Sequence, residues 1–365
     1  MDSQRRGREE PPDFRAPEPK GARLNIATQR GRSGTGGTTD YVRVLGAGVM
    51  GLAIASELLA RGYAVDIVDP AAAPGGHACS WWAGGMLAPH CEREASEDAV
   101  ERLGREAADW WSRRTGLVTR AGTLVLALGR DRGDLARFAR RTNGHRSLTG
   151  AEIAELEPDL AGRFDAGLFY AAEAHLAPRA ALAELRRRLE AAGATFATAP
   201  SDVEAALTVD CRGLAARDAL PDLRGVRGEM LVLRCPDVSF SRPVRLLHPR
   251  IPLYVVPRGD GVYMLGATMI ESDRRGVVTA RSLLELLSAA YALHPAFGEA
   301  EVLEMGADAR PAFPDNLPRL RRKGRVLFAN GLFRHGFLLS PAVARMAGEY
   351  VETGAIPELM DEVPA

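Results

Sequence analysis

The sequence predicts an α/β protein in which an antiparallel sheet is inserted into a parallel sheet covered by helices. Three observations lead to this prediction. A strand, a glycine-rich turn, a helix and a second strand follow one another over residues 42–69. Near residue 225 the hydrophobic pattern changes from helical to alternating, and after residue 325 a buried strand and a helix return. With 365 residues, the chain is long enough for two domains.

The first unit begins with an apolar strand at Val42 that breaks into the pattern Gly46-x-Gly48-x-x-Gly51. In this Rossmann-like pattern the first glycine permits a tight turn, the second lets the backbone approach a pyrophosphate, and the third lets the helix pack on the strand. The second strand ends at Asp69, 18 residues after Gly51, where a carboxylate can accept hydrogen bonds from ribose hydroxyls. The glycine pattern alone is weak. What predicts dinucleotide binding is that the strand, the helix, the second strand and the acid follow one another in this order.

The composition is that of an ordinary globular protein, with 46% hydrophobic and 26% charged residues. Lys+Arg and Asp+Glu both number 47, so the net charge is +0 and neither nucleic acid nor an anionic membrane is an expected partner. No apolar run reaches the ~18 residues of a membrane span. The only lysines, Lys20 and Lys323, lie outside any pocket-like segment, which argues against Schiff-base chemistry.

The four cysteines form neither a C-x-x-C pair nor a zinc-ligand spacing, so we expect reduced thiols and no metal site. They are Cys79, Cys91, Cys211 and Cys235. Residues 1–40 are rich in Arg, Gly, Pro, Ser and Thr and predict a disordered extension. Because no apolar segment follows the two arginines at positions 5 and 6, we expect no export signal and a cytoplasmic location.

The middle of the chain is mostly helical in pattern. Thr149 and Glu152 have the spacing of a capping box, and Pro178 stands in the first turn of a helix that Gly193 ends. The elements predicted here are helical segments over 92–115, 147–156 and 178–192, a strand over 122–128, a small helix near Ala205 and a strand that begins at Leu207.

The second unit consists of short strands separated by turn residues, which predicts an antiparallel sheet. Its strands are expected over 228–233, 244–247, 253–257 and 262–267, followed by a buried strand over 326–329 and a helix over 341–352. We expect the cofactor domain to comprise residues 41–116, 159–222 and 305–352, the substrate domain to comprise 117–158 and 223–304, and a tail to follow over 353–365.

The loop after the first unit has a composition that suits a flat cofactor. Trp81 and Trp82 are followed by Ala83 and then by Gly84 and Gly85. A glycine pair beside large flat side chains lets backbone approach a planar ring closely. For this loop alone, a well-packed turn that binds nothing is the alternative.

Together these segments resemble the D-amino-acid oxidase superfamily of FAD enzymes, and within it the glycine oxidases of thiamine biosynthesis. The resemblance covers roughly residues 42–352. Its most specific segment is Asn330-Gly331-Leu332-Phe333-Arg334-His335-Gly336-Phe337-Leu338-Leu339-Ser340-Pro341; the others are 80–89, 254–258, 266–269 and 310–311. It implies a Rossmann-like FAD-binding domain with an inserted antiparallel-sheet substrate domain. It also implies that the helix after the late loop points its N-terminal end at the pyrimidine side of the flavin.

The resemblance implies FAD contacts residue by residue. The ADP half is expected to contact Gly46, Gly48, Val49, Met50, Gly51 and Asp69, with Val203 on the adenine side; the flavin is expected to contact Ser80, Ala83, Gly84, Gly85, Met86, Gly331, Phe333, Arg334, His335, Gly336, Phe337 and Leu338. The segment from Val209 to Gly213 departs from the family's alanine–glycine run, which leaves the contacts there open.

The resemblance also implies the substrate contacts. Arg310 matches the arginine that takes the substrate carboxylate, Tyr254 a tyrosine beside it, and Arg334 and Met269 further pocket positions. A surface ion pair is the alternative role for each arginine, and a strand cap is the alternative for Tyr254.

Covalent attachment of FAD is not expected. Some relatives attach the flavin through a histidine just before the glycine pair, where this chain has Trp82, and others through a late cysteine, whereas no cysteine follows Cys235. His77 is the remaining candidate for attachment. We therefore expect non-covalent FAD.

The implied reaction is oxidative deamination of glycine or another small amine. Hydride would pass to flavin N5, the imine would be released, and dioxygen would reoxidise the flavin to give hydrogen peroxide. The imine, iminoacetate for glycine, would supply the thiazole of thiamine. A related oxidase or dehydrogenase of D-amino acids, sarcosine or proline is the alternative, and a non-catalytic flavin-binding subunit of a larger complex is the second. The sequence leaves open whether the chain forms a homo-oligomer.

Overall fold

The computed structural model describes residues 41–248 and 253–361, so the extension expected over 1–40 lies outside the described residues. The α-helices of the described part are α1 (Val49–Ala60), α2 (Pro89–Glu92), α3 (Asp98–Gly104), α4 (Ala107–Thr115), α5 (Arg132–Arg141), α6 (Gly150–Leu156), α7 (Pro178–Ala191), α8 (Ala280–Leu293) and α9 (Gly336–Thr353). Its strands are β1 (Tyr41–Leu45), β2 (Ala64–Val68), β3 (Met86–Leu87), β4 (Thr123–Ala127), β5 (Arg146–Thr149), β6 (Ala166–Tyr170), β7 (Ala174–His175), β8 (Thr195–Ala197), β9 (Leu207–Asp210), β10 (Arg224–Arg234), β11 (Val244–Leu247), β12 (Leu253–Gly259), β13 (Val262–Gly266), β14 (Ile270–Glu271), β15 (Glu301–Ala312), β16 (Arg319–Lys323), β17 (Val326–Asn330) and β18 (Met360–Asp361).

The first sheet contains the predicted strand–helix–strand unit. Its order is β18-β16-β17-β9-β1-β2-β8, and apart from the antiparallel pairing of β16 with β17 its strands pair in parallel. Val44 on β1, Leu52 on α1 and Ile67 on β2 are fully buried in one core with α9. The prediction of a Rossmann-like unit is therefore confirmed.

The turn from β1 to α1 brings backbone segments into contact. Gly46 adopts φ 97°, and its N–H donates to Val68 O at 2.7 Å. A Cβ on Gly51 would overlap the carbonyl oxygen of Gly46. Gly48 precedes α1 as its N-cap and supplies no side-chain cap. The first N–H groups of α1 are thus left open toward the carboxyl edge of the sheet, where a helix end favours an anion.

Helix α9 begins five residues earlier than predicted and contains Pro341. The proline has no N–H to donate to Phe337 O, its partner one turn earlier. The indole Nε1 of Trp111 donates to that oxygen at 2.8 Å instead, from a fully buried ring. The helix therefore starts at Gly336 and runs through Pro341 without a break. A Cβ on Gly336 would lie 3.4 Å from Val49 Cγ1 at the start of α1. The N-terminal ends of the two helices therefore lie side by side.

The second sheet has its own core. It follows the order β14-β10-β13-β12-β11-β4-β6-β5, and β15 also pairs with β10. Its pairings are antiparallel except that of β4 with β11. Leu231, Val255 and Leu265 from the sheet pack with Leu286 and Leu293 of α8. The antiparallel inserted sheet is confirmed, with one parallel pairing that the sequence did not indicate.

Three expected domain boundaries differ from the sheet pairings. Strand β6 pairs with β4, so the second sheet extends past residue 158. Strand β15 runs through the boundary at 304/305. The tail expected over 353–365 supplies β18, which pairs with β16. Each difference arises from hydrogen bonds to a strand distant in sequence, which a local pattern does not reveal.

Two smaller predictions had opposite outcomes. The capping box is confirmed, since Thr149 Oγ1 accepts the Glu152 N–H at 3.4 Å and Glu152 Oε2 accepts the Thr149 N–H at 2.8 Å. The small helix near Ala205 is wrong, because residues 198–206 are irregular and the Ala206 N–H donates to Tyr41 O at 2.9 Å. This bond to β1 aligns the chain for β9.

Among the described helices, none is long and apolar enough to cross a membrane.

We expect Gly51→Ala to lower the melting temperature strongly. The new Cβ would overlap the Gly46 carbonyl oxygen, so α1 would have to move away from β1; overpacking of this kind typically costs about 1–3 kcal/mol. Gly129→Ala is the matched control, because nothing lies within 4 Å of its Cβ position. Thermal unfolding measures both, and equal melting temperatures would contradict the packing described here.

Candidate cofactor and substrate site

Asp69 is buried directly after β2, at the carboxyl edge of the first sheet. Its Oδ2 accepts the Ala47 N–H at 2.8 Å and its Oδ1 accepts the Ala71 N–H at 2.9 Å. His77 Nε2 lies 3.2 Å from Oδ1. The carboxylate therefore fixes the glycine turn at the position expected for the ribose. The structure places His77 at this ribose end rather than beside the glycine pair of the flavin loop.

The hydroxyl of Ser80 is oriented for a ligand. Its Oγ is buried and has no hydrogen-bond partner among the described residues. It lies 3.5 Å from the place where a Cβ on Gly48 would be, next to the open start of α1. Because an unsatisfied buried hydroxyl costs about 1–3 kcal/mol, this arrangement fits a bound phosphate better than an empty space. The hydroxyl and the uncapped helix together fit the pyrophosphate of FAD.

The glycine pair is the point where the second sheet contacts the cofactor domain. Gly85 has φ 73°, and a Cβ there would overlap Leu176 O. A Cβ on Gly84 would lie 2.8 Å from Tyr254 Cε2, and Gly84 O accepts a bond from Arg258 Nη2 at 2.7 Å. Tyr254 and Arg258 both belong to β12. The loop expected to line the flavin is thus held by the strand expected to line the substrate.

The late loop is bound to the strand that carries Arg310. Gly331 has φ 80° and Phe333 has φ 49°, both in the left-handed region. The Phe333 N–H donates to Pro311 O at 2.9 Å. After this loop α9 begins without a side-chain cap, so its first N–H groups are open as well. A second positive helix end is therefore available for the flavin.

The remaining predicted cofactor contacts lie in the same segments, with one exception. They are Val49 and Met50 in the first turn of α1, Ala83 and Met86 on the first loop, and Arg334, His335, Gly336, Phe337 and Leu338 at or just before the start of α9. The exception is Val203, whose side chain is 63% exposed and whose carbonyl accepts a bond from Arg43 Nη2 at 3.1 Å. Arg43 is the middle residue of β1, so Val203 lies away from the carboxyl edge where adenine is expected.

Arg310 is a half-buried cation without a carboxylate partner in the described residues. Its Nη1 donates to Thr268 O at 3.2 Å, and its guanidinium lies where a side chain on Gly228 would be. Burial lowers the pKa of the guanidinium, although an arginine remains charged. A desolvated cation in a site is stabilised by an anion, so Arg310 has the chemistry that the prediction of a carboxylate ligand requires.

Tyr254 lies between Arg310 and the first loop. Its ring occupies the space that side chains on Gly84 and Gly266 would fill. Burial raises the pKa of the phenol, and the nearby Arg310 opposes this shift. The hydroxyl is therefore a protonated donor in the same small region as the Arg310 cation, as the prediction for Tyr254 requires.

Arg334 differs from Arg310 because it already has an anionic partner. Its Nη2 lies 2.9 Å from Glu92 Oε2, and its Nη1 lies 3.7 Å from Met269 Sδ. Arg334 and Met269, both predicted pocket residues, thus lie in contact with each other. The ion pair makes Arg334 a poorer candidate than Arg310 for the substrate carboxylate.

Glu92 is a central residue of the site that the sequence did not reveal. Besides Arg334, it contacts His335 Nε2 at 3.1 Å through Oε2 and Arg245 Nη1 at 3.1 Å through Oε1. These neighbours hold the pKa of its carboxyl well below the usual range, despite burial. Burial lowers the pKa of His335, which favours its neutral form. In sequence Glu92 is one of several acids in a charged segment, and nothing local distinguishes it.

A cavity of about 470 Å³ adjoins this cluster. Ser96, Phe333 and His335 form its inner wall, and Arg140 and Asp315 lie among its other lining residues. Ser96 Oγ lies 3.3 Å from His335 Nε2. The cluster around Glu92 therefore borders open space rather than solid core.

Comparison with known proteins agrees with this geometry. The family model described as FAD-dependent oxidoreductase matches residues 42–350. A Rhizobium etli protein named as the thiamine biosynthesis oxidoreductase ThiO is 57% identical over 84% of this chain and 94% of its own length. The bifunctional protein ThiO/ThiG of Trichormus variabilis is 28% identical over 86% of this chain, which spans about half, 53%, of that protein. The crystal structure of glycine oxidase from Geobacillus kaustophilus superposes with a TM-score of 0.71 at 25% identity, covering 86% of this chain and 95% of that chain.

The stability of the protein should depend on the ionisation of Glu173. This carboxyl is buried, its Oε1 accepts the Cys91 N–H at 2.8 Å, and burial raises its pKa from 4.5 to about 7. The folded state favours the protonated carboxyl of Glu173. Its contribution to the free energy of unfolding is therefore fully present below about pH 4.5 and is lost as the pH rises through about 7. The shift corresponds to at most about 3 kcal/mol.

We therefore expect Glu173→Gln to raise the melting temperature relative to the unmutated chain more at pH 8 than at pH 5. The glutamine keeps the acceptor for Cys91 and cannot ionise. Glu301→Gln, on an exposed ion pair, is the control and should show no such difference. Thermal unfolding at the two pH values measures the effect, and equal shifts for Glu173→Gln would refute it.

Proposed function

Since this chain belongs to the family of FAD-dependent oxidoreductases, we propose that it oxidises glycine or another small amino acid to the imine, for use in thiamine biosynthesis. The observation that carries this proposal is the half-buried Arg310 guanidinium, which has no carboxylate partner in the described residues and lies near Tyr254. Both residues lie in the region of the loop that holds the cofactor, so an amino acid bound through its carboxylate would lie against the flavin.

The residues of this chain bind and orient the substrate. Arg310 would take the carboxylate through charge-assisted hydrogen bonds, and the protonated Tyr254 would add a further donor. FAD, when bound, supplies the hydride acceptor. With the amine neutral, removal of the Cα hydrogen needs no protein base, and what the site must supply is a fixed orientation and exclusion of water. The close packing of Tyr254 on Gly84 forms a rigid wall, which helps both to orient the substrate and to exclude water.

Two kinds of relatives support the substrate and the pathway. The names of the Bacillus licheniformis and Geobacillus kaustophilus relatives are glycine oxidase, and that of the Rhizobium etli relative places it in thiamine biosynthesis. The bifunctional ThiO/ThiG protein of Trichormus variabilis joins a segment like this chain to a further segment of similar length. We extend this to the release of iminoacetate for thiazole formation, with dioxygen as the electron acceptor and hydrogen peroxide as the second product.

The proposal is tested by the visible spectrum of the purified protein under argon, before and after glycine is added. Bleaching of the flavin bands near ~450 nm, followed by recovery and peroxide formation in air, is the expected result. Bleaching only with sarcosine, proline or D-alanine would transfer the activity to those substrates. Failure of all four to bleach a bound flavin would contradict an amino-acid oxidase.

Arg310→Met should raise KM for glycine by about 10²–10³-fold. The change removes charge-assisted bonds that contribute roughly 1.5–3 kcal/mol each. FAD binding should persist, because the side-chain hydrogen bond of Arg310 goes to Thr268 O and not to the glycine turn or the first loop. Arg234→Met, which removes an exposed arginine paired with Glu301, is the matched control and should leave KM unchanged. Steady-state kinetics measures both, and an unchanged KM in Arg310→Met would exclude the assigned role.

A further inference from the structure

The geometry points to Glu92 as the residue that restricts the substrate to a single carboxylate, because it pairs with Arg334 and leaves Arg310 as the available cation. Glu92 would thus determine specificity through another side chain, without touching the substrate carboxylate itself. The inference rests on the proposed function, since it concerns the substrate of the same site.

The two arginines lie on either side of one short segment. Arg310 Nη1 donates to Thr268 O at 3.2 Å, while Arg334 Nη1 lies 3.7 Å from the sulfur of Met269, the next residue. The two guanidinium groups are close enough for Arg334 to lower the pKa of Arg310. Without a further anion, this arrangement would offer two cations and would suit a substrate with two carboxylates.

Glu92 changes the charge of that arrangement. Its Oε2 lies 2.9 Å from Arg334 Nη2, and its Oε1 lies 3.1 Å from Arg245 Nη1. The carboxyl is ionised, because these arginines hold its pKa well below the usual range. Arg334 is therefore already paired, whereas Arg310 has only a backbone carbonyl.

The Glu92 charge limits the site on the side of Arg334, where a cavity is close by. Arg334 Nη2 lies 3.4 Å from Ser96 Oγ, and Ser96 lines the cavity of about 470 Å³ together with Phe333 and His335. A second carboxylate arm that reached Arg334 would lie against the Glu92 carboxylate, whose Oε2 is 2.9 Å from Arg334 Nη2. Two neighbouring carboxylates repel each other, and the repulsion is stronger for partly buried groups than for groups in water. A neutral group of the same shape at position 92 would release Arg334 for the second carboxylate.

The experiment compares two ether ligands that cannot be oxidised at a Cα amine. Methoxyacetate carries one carboxylate and diglycolate carries two on the same ether backbone. Their dissociation constants are measured by titration calorimetry on the FAD-loaded protein and on its Glu92→Gln variant. We expect Glu92→Gln to raise the affinity for diglycolate relative to methoxyacetate by at least about tenfold, as one charge-assisted pair would.

Three further variants separate the effect of charge from a general disturbance. Glu92→Asp keeps the charge and should keep the ligand ratio within about threefold of the unmutated protein. Adding Arg334→Met to Glu92→Gln should abolish the gain, because the gain depends on Arg334. Glu301→Gln removes an exposed acid paired with Arg234 and should leave the ratio unchanged.

The outcomes distinguish this inference from the proposed function. If methoxyacetate binds but the ratio in Glu92→Gln stays within twofold of the unmutated protein, the inference alone is overturned. If methoxyacetate does not bind the unmutated protein, the carboxylate site of the proposed function fails and the inference fails with it. If Glu92→Gln does not hold FAD, the unmutated protein decides: the inference requires diglycolate to bind at least about tenfold more weakly than methoxyacetate, and equal or tighter binding of diglycolate would overturn it.

Discussion

The site depends on the close contact between Gly84 and strand β12. The ring of Tyr254 fills the space where a side chain at position 84 would be, and Arg258 donates to the Gly84 carbonyl. Burial lowers the pKa of Arg258 to about 10, and within the described residues its guanidinium donates to the carbonyls of Gly84 and Leu176. Moving the loop away from β12 would leave a half-buried cation without these acceptors, which is costly. The cofactor loop and the substrate strand therefore form one frame.

Within this frame the arginines act differently because their partners differ. Arg258 is satisfied by backbone and holds the loop. Arg334 is paired with Glu92, which also orients His335 directly before α9. Arg310 has a single backbone acceptor and no carboxylate among the described residues. The role of an arginine in a candidate site can thus be inferred from the groups that already balance its charge. By this criterion Arg310 is the residue prepared for a substrate anion.

The sequence predicted those parts of the fold and site that local chemistry determines. The turn with Gly46 and Gly51 requires residues without side chains over a few positions, and that constraint is visible as a spacing. The capping box at Thr149 is equally local. Glu92 and Arg258 were missed because their roles come from partners more than 80 residues away. The short strands β6 and β18 and the irregular segment near residue 205 likewise depend on distant pairing, which propensity does not encode.

The whole chain has net charge +0. The positive potential of the site therefore comes from the local placement of charged and polar groups and not from an excess of basic residues. The uncapped starts of α1 and α9 lie side by side and contribute partial positive charge at one edge of the first sheet. Arg310 adds a full charge on the neighbouring strand β15. In the proposed function, FAD would bring a pyrophosphate to the first of these positions, and an amino acid would bring a carboxylate to Arg310. Without these ligands the cations would repel one another, so binding of anions should also stabilise the contact between the two sheets.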